Sequence, residues 1–120
     1  MPVHIPQPSR VTAVGNKPKL IDEYLGCVNT GTPELSIARM RSPEGWVEPA
    51  QRPTFAEFTL VIAGMLRVEH DGGTIDVRAG EMVRVEPGER VRYSTPEAGG
   101  AEYVAVCLPA FTPASARRED

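Results

Sequence analysis

Histidine is nearly missing from this chain: only His4 and His70 occur in 120 residues. A centre built on three imidazoles is therefore excluded by the sequence. Cysteine is equally sparse, with Cys27 and Cys107 far apart and outside any close pairing of the kind zinc or redox motifs use. Both read as buried free thiols, because free cysteine behaves as a small hydrophobe. No apolar run approaches the roughly 20 residues needed to span a bilayer, so no membrane association is expected. The opening MPVHIPQPSR carries three prolines and no apolar stretch, which does not suit a signal peptide; a cytoplasmic location is the resulting expectation. Basic excess is also lacking. Lys plus Arg number 13 against 16 Asp plus Glu, a net charge of -3 with the signs interspersed, and nucleic acid is not an expected partner.

Helical periodicity is lacking too: no window of 11 or more residues keeps a 3.6-residue apolar repeat. What the chain has is punctuation. Eleven glycines and twelve prolines divide it into short runs, among them LSIARMR, FTLVIAG, MLRVEHD, TIDVRAG, EMVRVEPG, RVRYST and AEYVAVCL. Most alternate in polarity or are rich in β-branched and aromatic residues, as half-buried strands are. Asp71-Gly72-Gly73 between two such runs marks a tight hairpin. The best helical candidate, PKLIDEYLG at 18 to 26, is short and stops at a glycine. An all-β sandwich or barrel follows, organised as an extended N-terminal arm with a possible short helix over residues 1 to 34, a barrel over 35 to 109, and a polar tail over 110 to 120 that is expected to fray.

Residues 45 to 64, GWVEPAQRPTFAEFTLVIAG, carry a more specific pattern. Their glycines and glutamate keep the spacing G-x5-H-x-H-x3,4-E-x6-G, with Gln51 and Pro53 in the two histidine seats and Glu57 in the acidic one. A second cluster, Gly80 followed by Glu86-Pro87-Gly88, matches G-x5-P-x-G-x2-H-x3-N with the proline slid by one, and Val91 and Thr95 fill the last two seats. In these motifs the chain resembles the cupin superfamily. That resemblance implies a double-stranded β-helix, or jelly-roll barrel, with a small-molecule pocket in its mouth. It also implies turns at Gly64, Gly80 and Gly88, where positive φ is cheap only for glycine. Of the four usual metal ligands only Glu57 is matched, so neither metal nor cofactor is expected. The segments RVRYSTP and GAEYVAVCLPAF are similar to ethanolamine-utilisation type cupins, which also lack the histidine set. The kinase activity attributed to that group is not carried over, since the chain has no glycine-rich phosphate loop.

Strand alternation extends the motif to a candidate pocket. Thr59 and Val61 share the face of Glu57, and Tyr93 and Thr95 share that of Val91. Tyr103, Ala105 and Cys107 form the face with a polar handle, and Ala38 and Met40 point inward because Arg39 and Arg41 are costly to bury unpaired. The expected catalytic set is Glu57, Tyr93 and Tyr103, and the expected ligand-binding set is Met40, Gln51, Thr59, Val91, Thr95 and Cys107. Trp46 and Phe55 are expected to cap the pocket or a dimer seam, and His70 to be exposed. A glutamate in an apolar barrel is a candidate general acid or base for proton transfer, as in an isomerase, lyase or cyclase, with a structural carboxylate tied to Arg or Tyr as the rival reading. Non-catalytic binding or sensing of a small molecule, and a structural or assembly role in an ethanolamine-utilisation type system, stay open as alternatives. Strands apolar on both faces point to a homodimer.

Overall fold

The computed structural model describes residues 1–119. Along the chain run β1 (Ser9–Val11), β2 (Leu20–Leu25), β3 (Ser36–Ser42), β4 (Trp46–Val47), β5 (Ala56–His70), β6 (Gly73–Arg78), β7 (Met82–Val85), β8 (Val91–Thr95), β9 (Ala101–Leu108) and the single helical turn α1 (Pro113–Ala116). Every strand pairing is antiparallel. One sheet runs β1-β2-β3-β9-β5-β7 and the other runs β6-β5-β8-β4. Strand β5 belongs to both, which curls the two sheets into a jelly-roll barrel. No helix among the described residues is long and apolar enough to cross a membrane.

Runs 58 to 64 and 65 to 71 are thus one strand and not two joined at a turn. Gly64 has φ 77° inside β5, close to a register shift between Val61 and Ala63. Before it, β5 pairs with β7 and β9; after it, with β6 and β8. A Cβ at this position would stand 2.1 Å from the Gly100 carbonyl oxygen, so only glycine lets the strand bend from one sheet into the other.

Alternation then delivers three inward rows on the first sheet. Ile21, Met40, Tyr103 and Val61 form one; Glu23, Ala38, Ala105, Thr59 and Val83 the next; Ser36, Cys107, Glu57 and Val85 the third. Val61, Leu66, Val68, Val77, Val85 and Trp46 make the main core, all nearly inaccessible. Trp46 does not cap a mouth or a seam. It lies in the core, and its indole N–H donates to the Val14 carbonyl at 3.0 Å. Phe55 is buried as well, edge-on to Phe111 with ring centroids 5.9 Å apart.

The N-terminal and C-terminal segments depart from expectation. PKLIDEYLG forms β2, not a helix: pairing with β1 and β3 outweighs a local pattern too short to be stable alone. Asp22 on its outer face takes Arg10 at 2.7 Å and Arg41 at 3.4 Å. The tail, expected to fray, is tied down over its described residues, 110 to 119, and Asp120 lies outside them. Thr112 caps α1, and backbone bonds from Thr54 to Ser115 (2.9 Å) and from Glu119 to Ala50 (2.7 Å) strap residues 112 to 119 across the barrel. Cys27 is exposed, contrary to the buried reading, with its thiol on the Thr32 carbonyl at 3.7 Å. His70 is half-buried and its Nδ1 accepts the Gly72 N–H.

Candidate functional site

The two sheets face each other across a cavity of about 60 Å³. Glu57 reaches into it from β5 on the first sheet and Tyr93 from β8 on the second. The Tyr93 hydroxyl donates to Glu57 Oε1 at 2.9 Å, and the Cys107 thiol, one strand over, donates to Oε2 at 3.7 Å. Ala38, Ala105, Met40, Leu66, Phe55 and Phe111 supply the apolar wall. The facing pair Ala38 and Ala105 is small, and the missing side-chain volume leaves the space open. Tyr103 stands on the same wall, its hydroxyl 2.9 Å from Ser42 Oγ.

Charge enters from three segments, two of them outside the motif. Lys19, just before β2, places its ammonium 4.1 Å from the Trp46 ring centroid and 5.1 Å from that of Tyr103, a cation held over aromatic faces. Glu48, just after β4, is 7% exposed, and its Oε1 is buried without a hydrogen-bond partner. Arg118, from the strap, lies 5.4 Å over the Phe111 ring, and its Nε is likewise buried and unpartnered.

These groups tune one another. Burial pushes the Glu48 carboxyl up to about 7, with Lys19 and Arg118 pulling the other way and Glu57 adding to the rise. Burial also raises Glu57, outweighing the hydrogen bond from Tyr93 and the charge of Lys19. At Lys19 burial works to depress the ammonium, yet Tyr103, Glu48 and Glu57 together hold it above its ordinary value. Desolvation and the neighbouring Glu57 lift both the Tyr93 phenol and the Cys107 thiol, so both stay protonated donors. The result is two cations, two reluctant carboxyls and a phenol in one small apolar chamber.

A first-row metal does not fit this donor set. Among the described residues no group of three or more His, Cys, Asp or Glu side chains is placed to hold an ion. Glu57 already receives Tyr93 and Cys107 on its two oxygens, and the seats beside it hold Gln51 and Pro53.

Of the residues singled out in the sequence, Glu57, Tyr93, Tyr103, Met40, Gln51, Thr59 and Cys107 line the cavity. Val91 and Thr95 do not. Val91 packs in the main core and bridges to Gln51 through its backbone, and the Thr95 hydroxyl donates to the Pro43 carbonyl at 2.7 Å. Sequence reasoning missed Lys19, Glu48 and Arg118. Glu48 was the most legible of these, an acid between Trp46-Val47 and Pro49 inside the motif itself. Lys19 lies in the segment expected as the possible short helix, and Arg118 in the polar tail expected to fray.

Comparison with known proteins bears on the fold and its relatives. The family described as "Cupin domain" matches residues 38–107. Endoribonuclease YbeY of Myxococcus xanthus is 43% identical over 101 residues, 84% of this chain, and this chain spans 34% of that relative's length. Among solved structures, Pac13 of Streptomyces, described as a nucleoside dehydratase, superposes with a TM-score of 0.74 at 17% identity, over 99% of this chain and 90% of that one. The EutQ protein of Clostridium difficile does so with a TM-score of 0.65 at 22% identity, over 77% of this chain and 63% of that one.

Proposed function

This chain belongs to the cupin family, and we propose that it is a small-molecule cupin near the EutQ-type members that moves protons without a metal, as an isomerase, lyase or cyclase. The observation that carries this reading is the buried Glu57 carboxyl, bonded to Tyr93 across the sheets and facing an apolar cavity. In its ionised form Glu57 takes a proton from carbon next to a carbonyl or carboxyl group. The acid so formed returns that proton to a neighbouring carbon, an isomerisation. Alternatively Glu48, which titrates near neutrality, gives a proton to a departing hydroxyl, an elimination releasing water. Tyr93 holds the Glu57 carboxyl in place, and Tyr103 walls the chamber beside Lys19.

The cavity sets the scale of the substrate. A cavity of about 150 Å³ holds benzene, so one of about 60 Å³ suits a compound of a few carbons. The fold of a nucleoside dehydratase is compatible with elimination chemistry, but a nucleoside exceeds this space. The ribonuclease activity named for the Myxococcus relative is not taken over, since this chain spans only 34% of it and its net charge of -3 disfavours a polyanion.

Proton transfer is testable before the natural substrate is found. In D2O, the full chain is incubated with a panel of small oxo and hydroxy acids, and deuterium uptake at carbon is followed by proton NMR. Uptake by the unsubstituted chain, lowered at least about 100-fold in Glu57→Gln, is the expected outcome. Ligands that bind without any exchange would turn the reading to a binding or sensing module.

A further inference from the structure

The unpaired charge at one end of the cavity bears on what enters it. Among the described residues no carboxylate oxygen lies within 4.0 Å of Lys19 Nζ, which stands over the Trp46 and Tyr103 rings. Eight arginines on the barrel are by contrast ion-paired at 3.4 Å or less, as Arg39 is with Glu102 at 2.8 Å. Arg118 Nε and Glu48 Oε1 are buried without partners in the same chamber. Buried polar atoms left unpaired cost about 1–3 kcal/mol each, and these two, together with the Lys19 ammonium that no carboxylate meets, line one cavity as a constellation waiting for a complement. Two of the three are cationic donors.

We propose that the Lys19 end of the cavity is a subsite for the carboxylate of a short-chain organic acid, held by the Lys19 ammonium together with the Arg118 guanidinium. The assignment rests on the reading of the cavity as a small-molecule site and specifies its substrate class. One carboxylate matches the donors: an oxygen for the ammonium, an oxygen for the guanidinium N–H, and a contact with Glu48 when that group is protonated. The chain of the acid lies against Ala38, Ala105, Met40 and Leu66, where no polar partner is offered. A phosphate dianion suits the chamber less, because it brings two charges toward Glu48 and Glu57.

Binding then depends on the state of Glu48. Facing it are Lys19 from the segment before β2, Glu57 on β5, Arg118 on the strap and Tyr93 on β8. Behind it, His70 and the pairs Arg90 with Glu119 and Arg92 with Glu69 border a separate surface groove. A neutral Glu48 adds a donor beside the anion, whereas an ionised one repels it. Affinity for a permanently ionised acid therefore rises as pH falls from about 8 to about 6.

Calorimetric titration of the full chain with sodium butyrate, butyramide and inorganic phosphate tests this. Butyrate is expected to bind and butyramide to fail, with Lys19→Met and Arg118→Gln each weakening butyrate by about tenfold or more. Glu48→Gln should flatten the pH dependence. Equal affinity for acid and amide, no butyrate binding, phosphate binding tighter than butyrate, or unchanged affinity in both cation variants would each overturn the assignment. Arg118→Gln, on the strap, keeps the test open where Lys19→Met does not fold, as thermal melts will show. Butyrate binding that needs both cations in a chain without deuterium exchange would sink only the proton-transfer reading. Exchange that ignores Lys19 and Arg118 would sink only this one.

Discussion

With its carboxyl pushed up to about 7 by burial, Glu48 couples the cavity to the stability of the whole chain. Unfolded, it returns to an ordinary carboxyl near 4.5. Between those two values the folded chain keeps a proton that the unfolded chain has released, so stability falls as pH rises through the window. The loss from Glu48 amounts to roughly 3 kcal/mol once pH exceeds about 7, and Glu57, raised by the same desolvation, acts in the same direction. Urea midpoints measured from about pH 5 to about pH 8 should decline, and Glu48→Gln should lessen the slope; a midpoint that climbs over this range would count against the buried, unpaired carboxyl. Glu57 itself was legible in the sequence because alternation fixes which face a strand residue takes once a neighbour is anchored. Lys19 and Arg118 were not. Their burial comes from segments brought back to the barrel by tertiary contact, which no local spacing encodes.

At the level of elements, β5 holds the most consequence, since its two halves belong to different sheets. The strands around it were visible in the pattern of branched and aromatic residues between glycines, and the hairpin at 71 to 73 lies where Asp-Gly-Gly requires it, between β5 and β6. The continuity of β5 through Gly64 was hidden, because glycine marks a turn and a bend with the same letter. The short segment at 18 to 26 was misread for a related reason: β2 is a strand by virtue of its partners on both sides, not its own composition. Gly64→Ala should place a methyl 2.1 Å from the Gly100 oxygen at a φ of 77°. Destabilisation of about 3 kcal/mol is expected, read from urea unfolding. A change under about 1 kcal/mol would show that the bend can move elsewhere.

For the whole molecule, the outward face of the first sheet is apolar where a solvated wall would be polar. Leu60, Ile62, Met82 and Leu108 are exposed at 38%, 50%, 59% and 51%, with Phe58, Val104 and Val106 half-buried beside them. This supports the proposal that two copies meet on this face. Light scattering should give twice the 13.0 kDa chain mass, and Ile62→Glu with Leu108→Glu should return the monomer; a monomeric parent chain would refute it.

The strap, finally, makes the far end of the chain part of the chamber wall. Phe111 and Arg118 close the cavity from one terminus while Val11, Val14 and Lys19 close it from the other. Loosening the strap at its α1 cap, as Thr112→Ala would, therefore disturbs the chamber through Phe111 and Arg118 while leaving every barrel strand untouched.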